Sequence, residues 1–133
     1  MIHDDNKRSK LLFWTGLATM LPGLQFVFPL PVLSALGIDV ADSAAAMFYA
    51  RHWGLMALCV GALIVHASRP IASRRQIVLA AMVEKLGLAL LVALAWNDPA
   101  LRGLRGAAVF DAACVLLYAQ FLWRPAWSPS TTR

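Results

Sequence analysis

The stretch MFYARHWGLMALCVGALIVH, residues 47–66, is long and apolar enough to cross a bilayer, yet it carries Arg51, His52 and His66. A span of about 20 apolar residues covers the roughly 30 Å hydrocarbon core of a membrane. A charge within such a helix costs a few kcal/mol and therefore needs a partner or a purpose. The candidate partners are three charged residues in the later apolar stretches, Glu84, Lys85 and Asp111.

The composition of the whole chain agrees with a membrane protein. Of its 133 residues, 60% are hydrophobic and only 14% are charged, whereas roughly a quarter of the residues of a soluble domain are charged. The net charge of +5 comes from basic residues that lie between apolar blocks. They form no continuous basic stripe with interleaved aromatic residues, so binding to nucleic acid is not expected.

Four apolar stretches predict four membrane-spanning helices in a single domain, over about residues 11–29, 43–67, 77–96 and 107–123. Pro22 falls in the middle of the first stretch and predicts a kink. A short interfacial helix is expected after it, starting near Pro31 and ending at Gly37 as its C-cap. The Asp42–Ser43 pair predicts the N-cap of the second span. The predicted fold is thus all-α, a polytopic four-helix membrane bundle.

The distribution of charged residues predicts the orientation. Lys7, Arg8 and Lys10 precede the first span, Arg69, Arg74 and Arg75 lie in the second loop, and Arg124 and Arg133 follow the last span. The other side has Arg102 and Arg105 together with Asp39, Asp42 and Asp98. Because cytoplasmic loops are enriched in Lys and Arg, both termini are predicted to be cytoplasmic, with the protein in the inner membrane.

Each predicted span also places polar side chains between the outer half and the midplane of the membrane. At about 1.5 Å per residue, similar depths are expected for Gln25 on the first span, Arg51 and His52 on the second, Glu84 and Lys85 on the third, and Asp111 on the fourth. Asp111, Cys114 and Tyr118 share one stripe of the last helix. Gly54 and Gly61 would allow a close approach between helices.

Two interpretations of this polar cluster remain open. In the first, Arg51–Asp111, with Glu84–Lys85 or Glu84–His52, are buried pairs that only fix the helix register. In the second, a polar pocket formed by Gln25, Arg51, His52, Lys85 and Tyr118 binds the head of an apolar small molecule. Glu84 and Asp111 would be the acid and base if the protein were an enzyme, and Arg51 would stabilise an oxyanion.

No metal site and no cofactor are predicted. Cys59 and Cys114 lie far apart within apolar blocks, without the spacing of a metal or redox motif. His52 and His66 are about 21 Å apart along one helix and cannot share a metal ion. A single haem ligand, His52 or His66 at a subunit interface, is the alternative. A transport pathway would need an oligomer, since four short helices without an inverted repeat do not easily alternate access.

The segments LQFVFPLPVLSALGID, YARHWGLMALCVGALIV, VEKLGLALLV and VFDAACVLLY together resemble the DoxX-like group of small four-helix membrane proteins. The resemblance covers roughly residues 11–123 and implies the four-helix fold, without implying a particular activity. The expected function is that of a lipid- or hydrophobe-binding accessory subunit, in a homo-oligomer or with a larger membrane partner. The alternative is an integral-membrane enzyme of the isomerase type.

Overall fold

The computed structural model describes residues 2–38 and 43–123, and all of the regular secondary structure in this part of the chain is helical. Four long helices dominate it: α1 (Ile2–Met20), α4 (Ala44–His66), α5 (Arg74–Leu94) and α6 (Arg105–Trp123). The short helices α2 (Leu24–Val27) and α3 (Pro29–Ala35) lie between α1 and α4. The all-α prediction is therefore confirmed.

The proline-rich segment after α1 interrupts the helix twice. The chain tightens into a 3₁₀ turn at Leu21–Gly23, around Pro22, before α2 begins. Phe28 then leaves the helical region, with φ −121° and ψ 65°, because a residue that precedes a proline is disfavoured in the α conformation. Pro29 begins α3, so this helix starts two residues earlier than predicted. Pro31 is tolerated in its first turn, where backbone N–H groups have no partner within the helix.

Two of the predicted caps are present. Gly37 has φ +67°, and the N–H groups of Gly37 and Ile38 donate to the carbonyls of Ser34 and Leu33, which is the Schellman arrangement at the end of α3. The Ser43 side chain accepts a hydrogen bond from the Ala46 N–H at the start of α4. Asp42, like Asp39, Arg124 and Arg133, lies outside the described residues.

The long helices pack as two pairs, α1 with α4 and α5 with α6. Small residues allow the first pair to approach closely: a Cβ on Gly61 would lie 2.7 Å from the carbonyl oxygen of Gly16, and a Cβ on Gly54 would lie 2.6 Å from the backbone nitrogen of Phe26. This confirms the predicted role of Gly54 and Gly61. The two pairs meet in a common core formed by Leu12, Ile64, Ala67, Val78, Ala81, Cys114 and Tyr118.

Two of the described helices, α4 and α5, are long and apolar enough to cross a membrane. In each of them only 22% of the most apolar window of residues is buried inside the chain. Large apolar side chains are instead exposed on every long helix, among them Trp14, Leu63, Val83, Leu94 and Leu116.

Candidate functional site

The centre of the candidate site is a buried ion pair between α5 and α6. The Lys85 ammonium nitrogen lies 2.5 Å from Oδ1 of Asp111, and the two side chains are 1% and 8% exposed. The same nitrogen lies 5.3 Å from the centre of the Phe110 ring. The predicted Arg51–Asp111 pair is therefore wrong, because Lys85 is the ion-pair partner of Asp111. The pair brings no net charge into the apolar interior, and separating it would leave an uncompensated buried charge.

The helical repeat explains why Lys85, rather than Glu84, points inward. The buried residues of α5 are Val78, Ala81, Lys85 and Val92, spaced at intervals that place them on one face. Glu84 is rotated by 100° from Lys85 and lies at the edge of that face, where it is partly buried. Its Oε2 atom is buried and has no hydrogen-bond partner. Within residues 2–38 and 43–123, no ion pair joins Glu84 to Lys85 or to His52.

Tyr118 connects α6 to α1. Its side chain is fully buried, and its hydroxyl donates a 2.6 Å hydrogen bond to Oγ1 of Thr15. Thr15 Oγ1 in turn donates to the carbonyl of Leu11 at 2.8 Å. Tyr118 was predicted as a ligand-binding residue, but in the structure its hydroxyl is already used between helices. Sequence reasoning missed Thr15, since a threonine in an apolar helix ordinarily bonds to its own backbone.

Gln25 occupies a separate buried position beside α4. Its Nε2 donates a 2.9 Å hydrogen bond to the Ala50 carbonyl, and the residue is 2% exposed. Its Oε1 is buried without a partner. Gly54, one turn after Ala50, makes room for the Gln25 backbone. Gln25 thus connects the segment after the Pro22 break to the first half of α4.

Arg51 and His52 face away from these buried groups. Both side chains are exposed, because the buried face of α4 is formed by Gly54, Ala57, Gly61 and Ile64. The His52 ring stacks parallel to the Phe48 ring, with the centroids 6.3 Å apart. The expectation that all six polar residues converge in one cluster is therefore wrong. Gln25 occupies a separate position beside α4, and the side of α4 that carries Arg51 and His52 is turned outward.

Glu84, Lys85 and Asp111 are the candidate site residues that lie together, close enough to interact electrostatically. Asp111 and Lys85 neutralise each other, so Glu84 is the one acid of the three whose carboxylate retains an unused buried oxygen. Glu84 therefore differs from Asp111, whose carboxylate is paired with Lys85.

Across residues 2–38 and 43–123, no three side chains of His, Cys, Asp or Glu are grouped so that they could hold a metal ion. His66 and Cys59 are both exposed on α4. A single haem ligand, His52 or His66 at a subunit interface, stays the untested alternative to the prediction of no cofactor.

Comparison of the chain with protein-family models, with curated proteins and with solved structures finds no match. The resemblance to the DoxX-like group therefore stays a prediction, based on the residues quoted above.

Proposed function

We propose that the protein is a small integral membrane protein that works as a non-catalytic, lipid- or hydrophobe-binding accessory subunit. The observation that carries the proposal is the distribution of polarity. The Lys85–Asp111 ion pair and the side chains of Gln25 and Tyr118 are buried, whereas large apolar side chains face outward on every long helix. A soluble protein has the opposite distribution, with exposed apolar residues scattered singly.

The lengths of the helices support four crossings of the membrane. At about 1.5 Å per residue, α4, α5 and α6 are each roughly 28–35 Å long, close to the hydrocarbon thickness of a bilayer. Residues 11–27, which continue from α1 through the 3₁₀ turn into α2, extend for about 25 Å. The bundle would thus expose α-helical surface to lipid, and its backbone polar groups would be bonded within the helices.

The ligand contact is proposed for the outward side of α4, at Arg51 and His52. Arg51 lies seven residues from the start of α4, about 10 Å along the helix, and it is surrounded by exposed Phe48, Leu55 and Met56. An exposed cation at this depth, within an apolar surface, favours the anionic or polar head of an amphiphile as its partner. The aromatic rings of Phe48 and His52 provide a flat surface for its apolar part.

Native mass spectrometry of the full chain in mild detergent tests this function. We expect the protein to retain a lipid-like molecule, and Arg51→Ala to lose it without loss of helicity by circular dichroism. Arg102→Ala, which changes an exposed arginine outside this surface, is the matched control and should retain the molecule. A wild-type protein that carries no bound molecule, or equal retention by both variants, would contradict the proposal.

The alternative is an integral-membrane enzyme of the isomerase type, and the unpaired Oε2 of Glu84 is the observation that favours it. Glu84 would exchange the proton with an apolar substrate, while Asp111 and Lys85 would hold the local charge balance. Glu84→Gln would then preserve folding and ligand retention but stop turnover. Identical behaviour of wild type and Glu84→Gln towards the retained molecule would exclude this reaction.

A further inference from the structure

The folded chain brings together two basic segments that are distant in sequence. Nη2 of Arg74, at the start of α5, lies 3.4 Å from Oγ of Ser9 on α1. Arg74 is also close enough to Asp5 and Arg8 to interact with both electrostatically. The polar beginning of α1 and the loop before α5 therefore form one surface, which we call the basic end.

The basic end has a large excess of positive charge. It contains Lys7, Arg8, Lys10, Arg69, Arg74 and Arg75, against the acidic residues Asp4 and Asp5. Four of the basic side chains are exposed, namely Lys7, Lys10, Arg69 and Arg75. In the part of the chain that the structure describes, these four form no ion pair.

The opposite end of the bundle is different. Arg105 donates to the carbonyl of Trp96 and lies 5.0 Å from the centre of the Trp96 ring. Asp98 accepts a hydrogen bond from the Ala100 N–H. Arg102 is exposed. Among the described residues this end thus has two cations, Arg102 and Arg105, against one anion, Asp98, so the larger excess of positive charge lies at the basic end.

The cations of the basic end lie directly beside exposed apolar surface. Lys10 is followed within one turn by Phe13 and Trp14, which are 41% and 63% exposed, and Arg75 is followed one turn later by Leu79, which is 43% exposed. A ligand that covers this boundary must combine a negative group with an apolar body. An acidic protein segment would neutralise the cations but would leave the apolar residues exposed, so the chemistry favours a lipid.

We propose that the basic end binds the phosphate groups of anionic lipids in the leaflet that surrounds it. The polar layer of a leaflet is roughly 5–7 Å thick, about the rise of one helical turn, which is the distance that separates Lys7 from Lys10 and Arg75 from the first exposed apolar residue of α5. This inference rests on the proposed insertion in a membrane.

Native mass spectrometry also provides the test, with the full chain titrated against phosphatidylglycerol and against phosphatidylcholine of identical acyl chains. We expect at least tenfold tighter binding of phosphatidylglycerol. The triple variant Lys7→Gln, Lys10→Gln, Arg75→Gln should lose this preference, since each basic residue near an anionic surface contributes about fivefold. The control Arg102→Gln should keep it, and so should Lys7→Arg, Lys10→Arg, Arg75→Lys, which retains the charge.

Equal affinities of the wild type for the two lipids would overturn the inference. If an acidic protein then copurified with the chain, that protein would be the occupant of the basic end. An equal loss in Arg102→Gln would also overturn it, because the effect would then come from net charge alone. Carbonate extraction of membranes separates this result from a failure of the proposed function. A chain that resists extraction but shows no lipid preference refutes only the basic-end site, whereas a chain that is extracted refutes the insertion.

Discussion

Lys85 shows at the scale of one residue how the interior of the bundle accommodates charge. Its ammonium group is almost completely buried, and Asp111 is its ion-pair partner. Such a pair adds little stability compared with apolar residues of similar size, because both ions lose their hydration. Removing one member of the pair is destabilising, because the other charge then stays buried without a partner.

We therefore expect Lys85→Ala or Asp111→Ala to lower the free energy of unfolding by about 3–5 kcal/mol. The double variant Lys85→Met, Asp111→Leu should lie within about 1–2 kcal/mol of the wild type. Unfolding by a denaturing detergent, followed by circular dichroism, measures both. The control Arg102→Ala should change the value by less than about 0.5 kcal/mol. Additive effects of the single changes would show that the two groups are not coupled.

The contribution of the Tyr118–Thr15 hydrogen bond to stability can be tested by single and double substitutions. Tyr118→Phe removes only the hydroxyl and should cost about 1 kcal/mol of unfolding free energy. Thr15→Val should cost a similar amount, and the double variant should cost less than the sum because both changes remove the same bond. Tyr49→Phe is the matched control, since Tyr49 is 70% exposed. An equal loss in Tyr49→Phe would show that the Tyr118 bond is not responsible.

At the scale of the helices, the contact between α1 and α4 depends on glycines. A Cβ at Gly61 would meet backbone atoms of Gly16 and Met20 at 2.7 and 2.8 Å, whereas a Cβ at Gly87 on α5 would meet nothing within 4 Å. Backbone atoms cannot move aside as a flexible side chain can, so the whole helix must shift.

Gly61→Ala is accordingly expected to lower the free energy of unfolding by about 1–3 kcal/mol. Gly87→Ala should instead leave it unchanged or raise it by up to about 1 kcal/mol, because alanine has the higher helix propensity. The same unfolding measurement compares the two. If both substitutions act alike, close packing of α1 on α4 is not what Gly61 provides.

The end of α3 depends on the backbone conformation of Gly37. Gly37 has φ +67° with open space around it, so a side chain there meets backbone strain but no neighbouring atoms. Gly37→Ala should cost about 1–2 kcal/mol. Gly106→Ala on α6, which also has open space but no positive φ, should not be destabilising. A neutral Gly37→Ala would indicate that the α3 end relaxes without cost.

For the whole molecule, the proposed topology is open to a labelling experiment. Ser73 immediately precedes α5 and Ala100 lies in the 3₁₀ helix Pro99–Leu104 that follows it. Both residues are exposed, so they should lie on opposite sides of the membrane. In intact spheroplasts, an impermeant maleimide should label Ala100→Cys but not Ser73→Cys, and lysis should make both reactive. The parent chain, with Cys59 and Cys114, gives the background. Labelling of Ser73→Cys before lysis would contradict cytoplasmic termini.

The sequence alone predicts the helices, although the first of them extends over Ile2–Met20 and not over about residues 11–29. The apolar runs, Pro22, Ser43 and Gly37 act through neighbouring residues of the same segment, so their effects do not depend on the rest of the fold. This local information was enough for the all-α class, the interruption after α1, the short α3 and the close approach at Gly54 and Gly61.

Which charges meet depends instead on how the helices pack. Glu84 and Lys85 are adjacent, and a rotation of α5 by 100° exchanges them; similarly, a rotation of α4 would turn Arg51 inward. The sequence pattern does not specify that rotation, because it follows from the packing of whole faces, here Val78, Ala81 and Val92 on α5 and Gly54, Ala57 and Gly61 on α4. For this reason Lys85 pairs with Asp111, Thr15 bonds with Tyr118, and Arg51 is left on the outer surface.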